Sequence, residues 1–188
     1  HGLPSHKRIL KDGAIVSIYT WVQLEGYFGD SSLTVPVGEV NEQVRKLLDV
    51  TSASLELAIE QMRPGNRLAD VCGAVERHVT ANGFTVVREY VGHGIGRQMH
   101  EEPQVPNYGP AGKGPTLQPG MVLAIEPMIN EGAAAVRQLD DGWTVVTSDG
   151  KPSAHFEHTV VVTEDGCRVL TLPDAAIDAD GRTASAAG

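Results

Sequence analysis

Two histidines, His93 and His100, lie in a glycine-rich stretch between residues 86 and 103 and are the first candidates for catalytic or metal-binding side chains. The segment before them, Phe84–Val91, is rich in β-branched and aromatic residues, which predicts a strand. The alternating glycines around His93 indicate a backbone with positive φ that passes close to a bound group. An imidazole at such a strand end suits a cavity, and a histidine satisfied within the core is the alternative.

Three carboxylates lie where a negative charge is costly. Glu126 and Glu157 fall within strongly apolar segments and Asp30 within a predicted hairpin, none of them beside a Lys or Arg. Such groups require a raised pKa, a distant arginine or a metal ion. A metal ion would also account for His93, and a set of oxygen and nitrogen donors suits Mn, Fe, Co or Zn. Structural ion pairs remain the alternative, because spacing along the chain does not establish that these side chains converge.

Length, charge and cysteine content exclude several broad classes of protein. The 188 residues, 41% of them apolar, can bury one good core, so two full domains are not expected. A net charge of −9 without a basic patch argues against nucleic acid or an anionic membrane as a partner. Cys72 and Cys167 are too few for a disulfide framework, and the sequence shows neither a leader nor an apolar run of membrane length. We therefore expect a soluble, cytoplasmic protein.

The first half of the chain is predicted to form a hairpin and two helices. Ile15–Leu24 alternates apolar and polar residues, as a half-buried strand does, and Tyr27–Val35 is its predicted partner. Spacing of apolar residues at 3.6 positions predicts two helices, one from the Asn41 cap to the Pro64-Gly65 stop and one from Asn66 to Gly83.

The second half is predicted to consist mainly of strands. Four segments have strand composition or alternation: Met121–Met128, Trp143–Thr147, His155–Thr163 and Cys167–Leu172. The Ala-, Asp-, Gly- and Ser-rich segment 173–188 is predicted to be a disordered tail.

Four motifs together resemble those of one family. They are G-H-G-I-G-R-x-x-H-E-E-P, P-G-M-x-x-x-I-E-P, D-G-W-T and F-E-H-T. In these motifs and in the spacing between them, residues 1–172 resemble a type I methionine aminopeptidase, whose pita-bread fold is shared with prolidases and creatinases. The resemblance implies one α+β metallopeptidase domain over 1–172, with helices packed on the outer face of a curved antiparallel sheet. It also implies metal-dependent removal of the N-terminal methionine from peptides and nascent proteins.

The resemblance assigns roles to individual residues. It implies that His93, Glu126 and Glu157 bind metal and that Asp30 is the carboxylate that bridges two metal ions. Glu126 is implied to act as the general base as well.

Four further residues are implied to contact the peptide substrate. His100 would hydrogen-bond the substrate carbonyl and its developing oxyanion. His1 lies where the family keeps a histidine that contacts the scissile peptide. Tyr90 and Trp143 match residues that line the region beside the site.

One departure from the family changes the expected metal content. Where the family has a second metal-binding aspartate in the first strand, this chain has Tyr19. A phenol with a pKa of about 10 does not replace a carboxylate. We therefore expect one tightly bound divalent ion, a second that is weak or absent, and a Tyr19 oxygen that accepts a hydrogen bond from the substrate amine. The result would be a weakened or altered aminopeptidase, and two alternatives stay open: a catalytically impaired binding module, or a single-metal enzyme acting on a different amino-acid-like substrate.

Three smaller departures concern the surroundings of the site. Met99 stands where an aromatic residue is common, and we expect it to form an apolar wall of the pocket. His155, two residues before Glu157, stands where an amide is usual; we expect it to donate a hydrogen bond, with metal binding as the alternative. Family members also carry a helix and a strand before the position of His1, so the domain is expected to be incomplete at its N-terminal end.

Overall fold

A computed structural model describes residues 1–172 of the chain. It contains two helices, α1 (Glu42–Glu60) and α2 (Leu68–Ala81). The strands are β1 (Ile15–Leu24), β2 (Tyr27–Pro36), β3 (Thr85–Val86), β4 (Gly92–Gly94), β5 (Glu101–Val105), β6 (Val122–Ile125), β7 (Met128–Asn130), β8 (Val136–Gln138), β9 (Val145–Thr147), β10 (Ser153–His155), β11 (Glu157–Val162) and β12 (Cys167–Val169). The predicted tail, 173–188, lies outside the described residues.

The strands form one large antiparallel sheet and two small ones. The large sheet has the order β1-β2-β11-β6-β4-β5, with β12 beside β11, and the small sheets have the orders β10-β7-β3 and β8-β9. Residues distant in sequence become neighbours across the large sheet, where Glu157 pairs with Ser32 and His93 with Ala124. The α+β class is confirmed, because both helices and an antiparallel sheet are present.

The two helices form where capping and apolar spacing predict them. The Asn41 side chain accepts a hydrogen bond of 2.8 Å from the Val44 amide, and α1 ends before Pro64, whose ring cannot continue a helix. Both helices contribute buried apolar stripes to the same core as the sheets, and this core includes Leu47, Met62, Val75, Leu123 and Ile129. Neither helix has the length and apolar character that crossing a membrane requires.

The glycines around His93 serve close strand packing. Gly92 and Gly94 belong to β4, and neither has positive φ, so the prediction of positive φ at these glycines was wrong. A Cβ atom at Gly92 would lie 2.3 Å from the Ala124 carbonyl oxygen, and one at Gly94 would lie 2.2 Å from that of Glu102. Glycine is therefore needed because the strands on either side of β4 approach it too closely for a side chain.

Two predicted strands are interrupted beside the acidic residues. Met121–Met128 is divided at Glu126 and Pro127 into β6 and β7, and His155–Thr163 is divided at Phe156 into β10 and β11. Proline lacks the amide that would continue the ladder. At both interruptions the chain passes between the large sheet and the three-stranded sheet, so Glu126 and Glu157 lie where these two sheets meet.

Other predicted strands were too long, and two further strands were not predicted. The predicted strand over Phe84–Val91 is reduced to β3, and Trp143–Thr147 and Cys167–Leu172 are reduced to β9 and β12. Strands β5 and β8 were not predicted, since neither segment shows regular alternation. Strand β1 has the predicted bounds, but the prediction that it is half-buried was wrong from Ser17 to Leu24, where both faces are exposed because β2 is the main element that contacts β1 among the described residues.

Candidate metal centre

Four neighbouring strands bring the four predicted ligands together. Asp30 lies on β2, His93 on β4, Glu126 directly after β6 and Glu157 at the start of β11. All four side chains are buried. His93 Nε2 lies 3.5 Å from Glu126 Oε1 and 4.0 Å from Asp30 Oδ2. One potential ligand atom from each of Asp30, His93 and Glu157 lies within 4.8 Å of the others, so these side chains can share one cation.

The orientation of the His93 ring leaves one nitrogen free to bind a metal ion. Its Nδ1 lies 2.9 Å from the Gly94 carbonyl oxygen, which can only accept, so Nδ1 carries the proton and donates. In the neutral ring Nε2 then has an unshared electron pair, and this atom faces Asp30 and Glu126. A backbone acceptor behind a ligating imidazole is the usual device that fixes its tautomer.

Asp30 is held from two directions. The Tyr19 hydroxyl donates to Asp30 Oδ2 at 2.8 Å. Thr159 Oγ1 accepts from the Asp30 amide at 2.9 Å and donates to the Asp30 carbonyl at 2.8 Å. Burial raises the pKa of Asp30, and the hydrogen bond from Tyr19 works against this shift. Asp30 Oδ1 has no hydrogen-bond partner among the described residues.

Burial disfavours the charged form of both glutamates. Glu157 is 1% exposed, and neither of its carboxyl oxygens has a hydrogen-bond partner among the described residues. Burial, and then the nearby Glu126, raises the pKa of Glu157 to about 10. Burial is also the main cause that raises the pKa of Glu126 to about 8. Without a positive charge between them, these carboxyl groups would take up protons at neutral pH.

His155 is part of the same cluster. One potential ligand atom from each of Glu126, His155 and Glu157 lies within 4.8 Å of the others. Its Nε2 lies 3.6 Å from Glu126 Oε2 and has no hydrogen-bond partner among the described residues. Burial lowers the pKa of His155 to about 4, so the ring is neutral at neutral pH.

Three of the predicted substrate contacts lie around this cluster. The His100 ring is exposed, with its centroid 4.3 Å from that of His93. Both rings line an open pocket of about 550 Å³. The His1 ring lies with its centroid 5.2 Å from that of Tyr90 and 5.6 Å from that of His155. The structure therefore places His100 and the His1–Tyr90 pair beside the candidate ligands.

The remaining predicted residues are less closely connected. Trp143 is 59% exposed, and its indole makes no aromatic contact with the cluster among the described residues. Met99 is half-buried in the loop between β4 and β5, next to His100. Tyr19 is 44% exposed, but its hydroxyl reaches the centre through Asp30.

Sequence reasoning missed the polar groups that position the candidate ligands. Thr34 Oγ1 accepts from the His155 amide at 2.9 Å and donates to the His155 carbonyl at 2.8 Å, as Thr159 does for Asp30. The buried Asn107 donates to the Glu126 carbonyl at 3.0 Å. The only sequence signal for the two threonines is that each lies at an inward position of an alternating strand.

The model of metallopeptidase family M24 matches residues 1–164. The chain belongs to this family. Membership of a metallopeptidase family implies the use of a divalent metal ion, in keeping with the donor cluster described above.

Within family M24 the chain is similar to methionine aminopeptidases. It is 53% identical to methionine aminopeptidase 1 of Bacillus subtilis over 171 residues, which cover 91% of this chain and 68% of that protein. It is 52% identical to methionine aminopeptidase B of Synechocystis over 172 residues, covering 92% of this chain and 63% of that protein. The chain thus spans about two thirds of the length of these relatives.

A solved structure confirms the fold. The methionine aminopeptidase of Thermotoga maritima superposes with a TM-score of 0.91 and is 48% identical, with 92% of this chain and 70% of that chain covered. The predicted pita-bread fold, a curved antiparallel sheet with two helices, is therefore confirmed for this M24 chain.

Proposed function

We propose that this chain removes the N-terminal methionine from peptides in a metal-dependent reaction. The observation that carries the proposal is Glu157, a buried carboxylate with no hydrogen bond on either oxygen among the described residues, placed within reach of Asp30, His93 and Glu126. The similarity to methionine aminopeptidases supports the same reaction.

The donor set fits a divalent ion. Asp30 Oδ1 and both oxygens of Glu157 have no partner among the described residues, and His93 Nε2 faces the same space. Asp30, His93, Glu126 and Glu157 would hold the first ion. Three carboxylates and an imidazole suit Mn, Fe, Co or Zn.

The ion and the side chains would have different roles in the reaction. When bound, a divalent ion lowers the pKa of a coordinated water and polarises the scissile carbonyl. Glu126 is the proton acceptor, because its carboxylate lies among the ligand atoms that would hold the ion and would therefore lie beside the coordinated water. A proton taken up at Glu126 can then pass to the departing amine.

His100 and the His1–Tyr90 pair position the peptide. The exposed His100 ring, beside His93, is placed to donate a hydrogen bond to the substrate carbonyl oxygen, where negative charge develops. His1, whose ring packs against Tyr90, is placed to contact the scissile peptide. Met99 and Trp143 supply apolar surface farther out.

Tyr19 changes the recognition of the substrate amine. Its hydroxyl proton is donated to Asp30, so the lone pairs of the phenol oxygen are left to accept from the amine. A neutral oxygen attracts an amine less strongly than a carboxylate or a second ion would. We therefore propose one tightly bound ion, a weaker second ion and a lower turnover than that of relatives with a full set of carboxylates.

The test is cleavage of a Met-Ala-Ser peptide by metal-free protein before and after addition of Mn²⁺ or Co²⁺. Metal-dependent release of methionine is expected, and His93→Ala should abolish tight binding of the ion together with turnover. His78→Ala, on α2, is a matched control that should change neither. Tight binding of the ion without release of any N-terminal residue would indicate the binding module, and release of a different residue would indicate a different substrate.

A further inference from the structure

His155 completes a second group of metal-ligand atoms beside the first. The first group consists of Asp30, His93 and Glu157, and the second of Glu126, His155 and Glu157. Glu157 belongs to both groups, so its two oxygens can serve two cations. The two histidines lie on different strands, β4 and β10, and their Nε2 atoms face different oxygens of Glu126.

Glu126 is placed to bridge the two groups. Its Oε1 lies 3.5 Å from His93 Nε2, and its Oε2 lies 3.6 Å from His155 Nε2. Both distances are too long for a good hydrogen bond. A carboxylate whose two oxygens face two different imidazoles can contact one cation beside each imidazole.

The second group contains buried polar atoms that the described protein does not satisfy. His155 Nε2 and both carboxyl oxygens of Glu157 have no hydrogen-bond partner among the described residues. Buried polar atoms without a hydrogen-bond partner are rare in folded proteins and require an explanation. The His155 backbone is nevertheless fixed by two hydrogen bonds to Thr34, so the position of the ring is well determined.

The surroundings of Asp30 Oδ2 are less suitable for a second cation. There Tyr19 offers a neutral phenol, and its proton is directed at Asp30 Oδ2. A neutral phenol attracts a cation less strongly than the second carboxylate that it replaces would. The carboxylate pair Glu126 and Glu157, with a nitrogen donor, lies on the His155 side.

We infer that the second divalent cation of this chain binds to His155, Glu126 and Glu157 instead of to Tyr19 and Asp30. Two carboxylate oxygens and one imidazole nitrogen form a donor set for Mn, Fe, Co or Zn. This second cation is the weaker of the two, because Glu126 and Glu157 already serve the first. The inference rests on the metal centre proposed above, so its test must observe the two positions separately.

Calorimetric titration of the metal-free 188-residue chain with Mn²⁺ or Co²⁺ separates the two binding steps. We expect His155→Gln to weaken the second step at least about tenfold, the usual size of a lost metal contact, and to change the first by less than roughly threefold. His158→Gln is the matched control. It replaces a histidine three residues away on β11, whose ring hydrogen-bonds Thr171 instead of the cluster, and it should leave both steps unchanged.

Anomalous diffraction from crystals of the unsubstituted chain soaked in Co²⁺ tests the same inference without a variant. We expect a second peak about 2.1 Å from His155 Nε2, the usual metal–imidazole distance. A second peak beside Tyr19, one peak alone, or a second binding step that His155→Gln leaves unchanged would overturn the inference. Absence of any tight binding would overturn the proposed metal centre as well, and loss of the first step in His93→Ala identifies that centre independently.

Discussion

The Tyr19 hydroxyl donates a hydrogen bond of 2.8 Å to Asp30 Oδ2 across the β1–β2 hairpin. The two residues are not direct partners, since Tyr19 pairs with Ser32 and Asp30 with Trp21, but they are diagonal neighbours on one face of the hairpin. Burial and the hydrogen bond to Asp30 raise the pKa of Tyr19 well above its ordinary value. The phenol therefore stays protonated and contributes no negative charge to the centre.

Replacement of this phenol by a carboxylate should strengthen the centre. Tyr19→Asp adds an anionic oxygen beside Asp30, which favours both a second cation on this side and the positively charged amine of the substrate. We expect kcat/KM for Met-Ala-Ser at saturating Mn²⁺ to rise roughly tenfold, which corresponds to about 1.4 kcal/mol in the barrier. Initial-rate assays at several Mn²⁺ concentrations measure this change.

Tyr27→Asp is the matched control for the added charge. Tyr27 is exposed at the start of β2, where its hydroxyl accepts from Arg97. Its replacement should leave the dependence on Mn²⁺ unchanged. An unchanged or lower kcat/KM in Tyr19→Asp, with the ions bound, would show that Tyr19 is not what limits turnover.

The stability of the metal-free protein should fall with rising pH above neutrality. Burial raises the pKa of Glu126 to about 8 and that of Glu157 to about 10, so the folded chain keeps protons that the unfolded chain releases. Stability that is present at low pH is then lost as pH rises through these values. The lowered pKa of His155 acts in the opposite sense, but its effect is complete above about pH 6.5. We expect the Tm of the metal-free chain to fall by about 5 °C between pH 7 and pH 9.

Thermal unfolding with and without cation checks this pH dependence. Mn²⁺ should remove most of the fall, because a bound cation stabilises the deprotonated carboxylates. Glu157→Gln should flatten the profile of the metal-free chain, since a neutral amide does not titrate, whereas the exposed Glu60→Gln on α1 should not. A Tm that rises between pH 7 and pH 9 without metal would contradict the assignment.

The sequence predicted the convergence of the candidate ligands better than it predicted the strands that position them. Asp30, Glu126 and Glu157 were singled out because an isolated acid in an apolar segment needs a compensating charge, and their convergence is what the structure shows. Periodicity also located both helices and the first hairpin, because each buries a stripe or is closed by a turn of recognisable composition.

The errors arose where contacts between distant segments decide the local structure. Gly92 and Gly94 were expected to adopt positive φ because the approach of Ala124 and Glu102 cannot be deduced from sequence spacing. The interruption at Phe156, which separates His155 from Glu157, depends on pairing with two different sheets. The two hydrogen bonds between the Thr34 hydroxyl and the His155 backbone likewise join residues 121 positions apart.

His100 should act on turnover rather than on cation binding. Its ring lies beside His93, but it is exposed and is absent from both groups of potential ligand atoms. His100→Ala should lower kcat by about a hundredfold to a thousandfold, the usual effect of losing one donor to a developing oxyanion. Cation affinity measured by calorimetry should stay within roughly threefold, in contrast to His93→Ala. Equal losses of cation affinity and kcat would make His100 a ligand.

Thr159 should act as a positioning residue for Asp30. Its hydroxyl accepts from the Asp30 amide and donates to the Asp30 carbonyl, and Thr159 is itself buried on β11. Thr159→Val keeps the side-chain volume but leaves both backbone groups of Asp30 unpaired, which should lower the free energy of unfolding by about 1–3 kcal/mol. Because Asp30 then loses its fixed position, the first cation should bind roughly tenfold more weakly.

Thr163→Val, just beyond the end of the same strand, removes a hydroxyl that contacts the exposed Asp165 and serves as the control. Denaturant unfolding and calorimetric titration of both variants separate the two effects: a loss of stability with unchanged cation affinity would show that Thr159 supports the sheet without positioning Asp30.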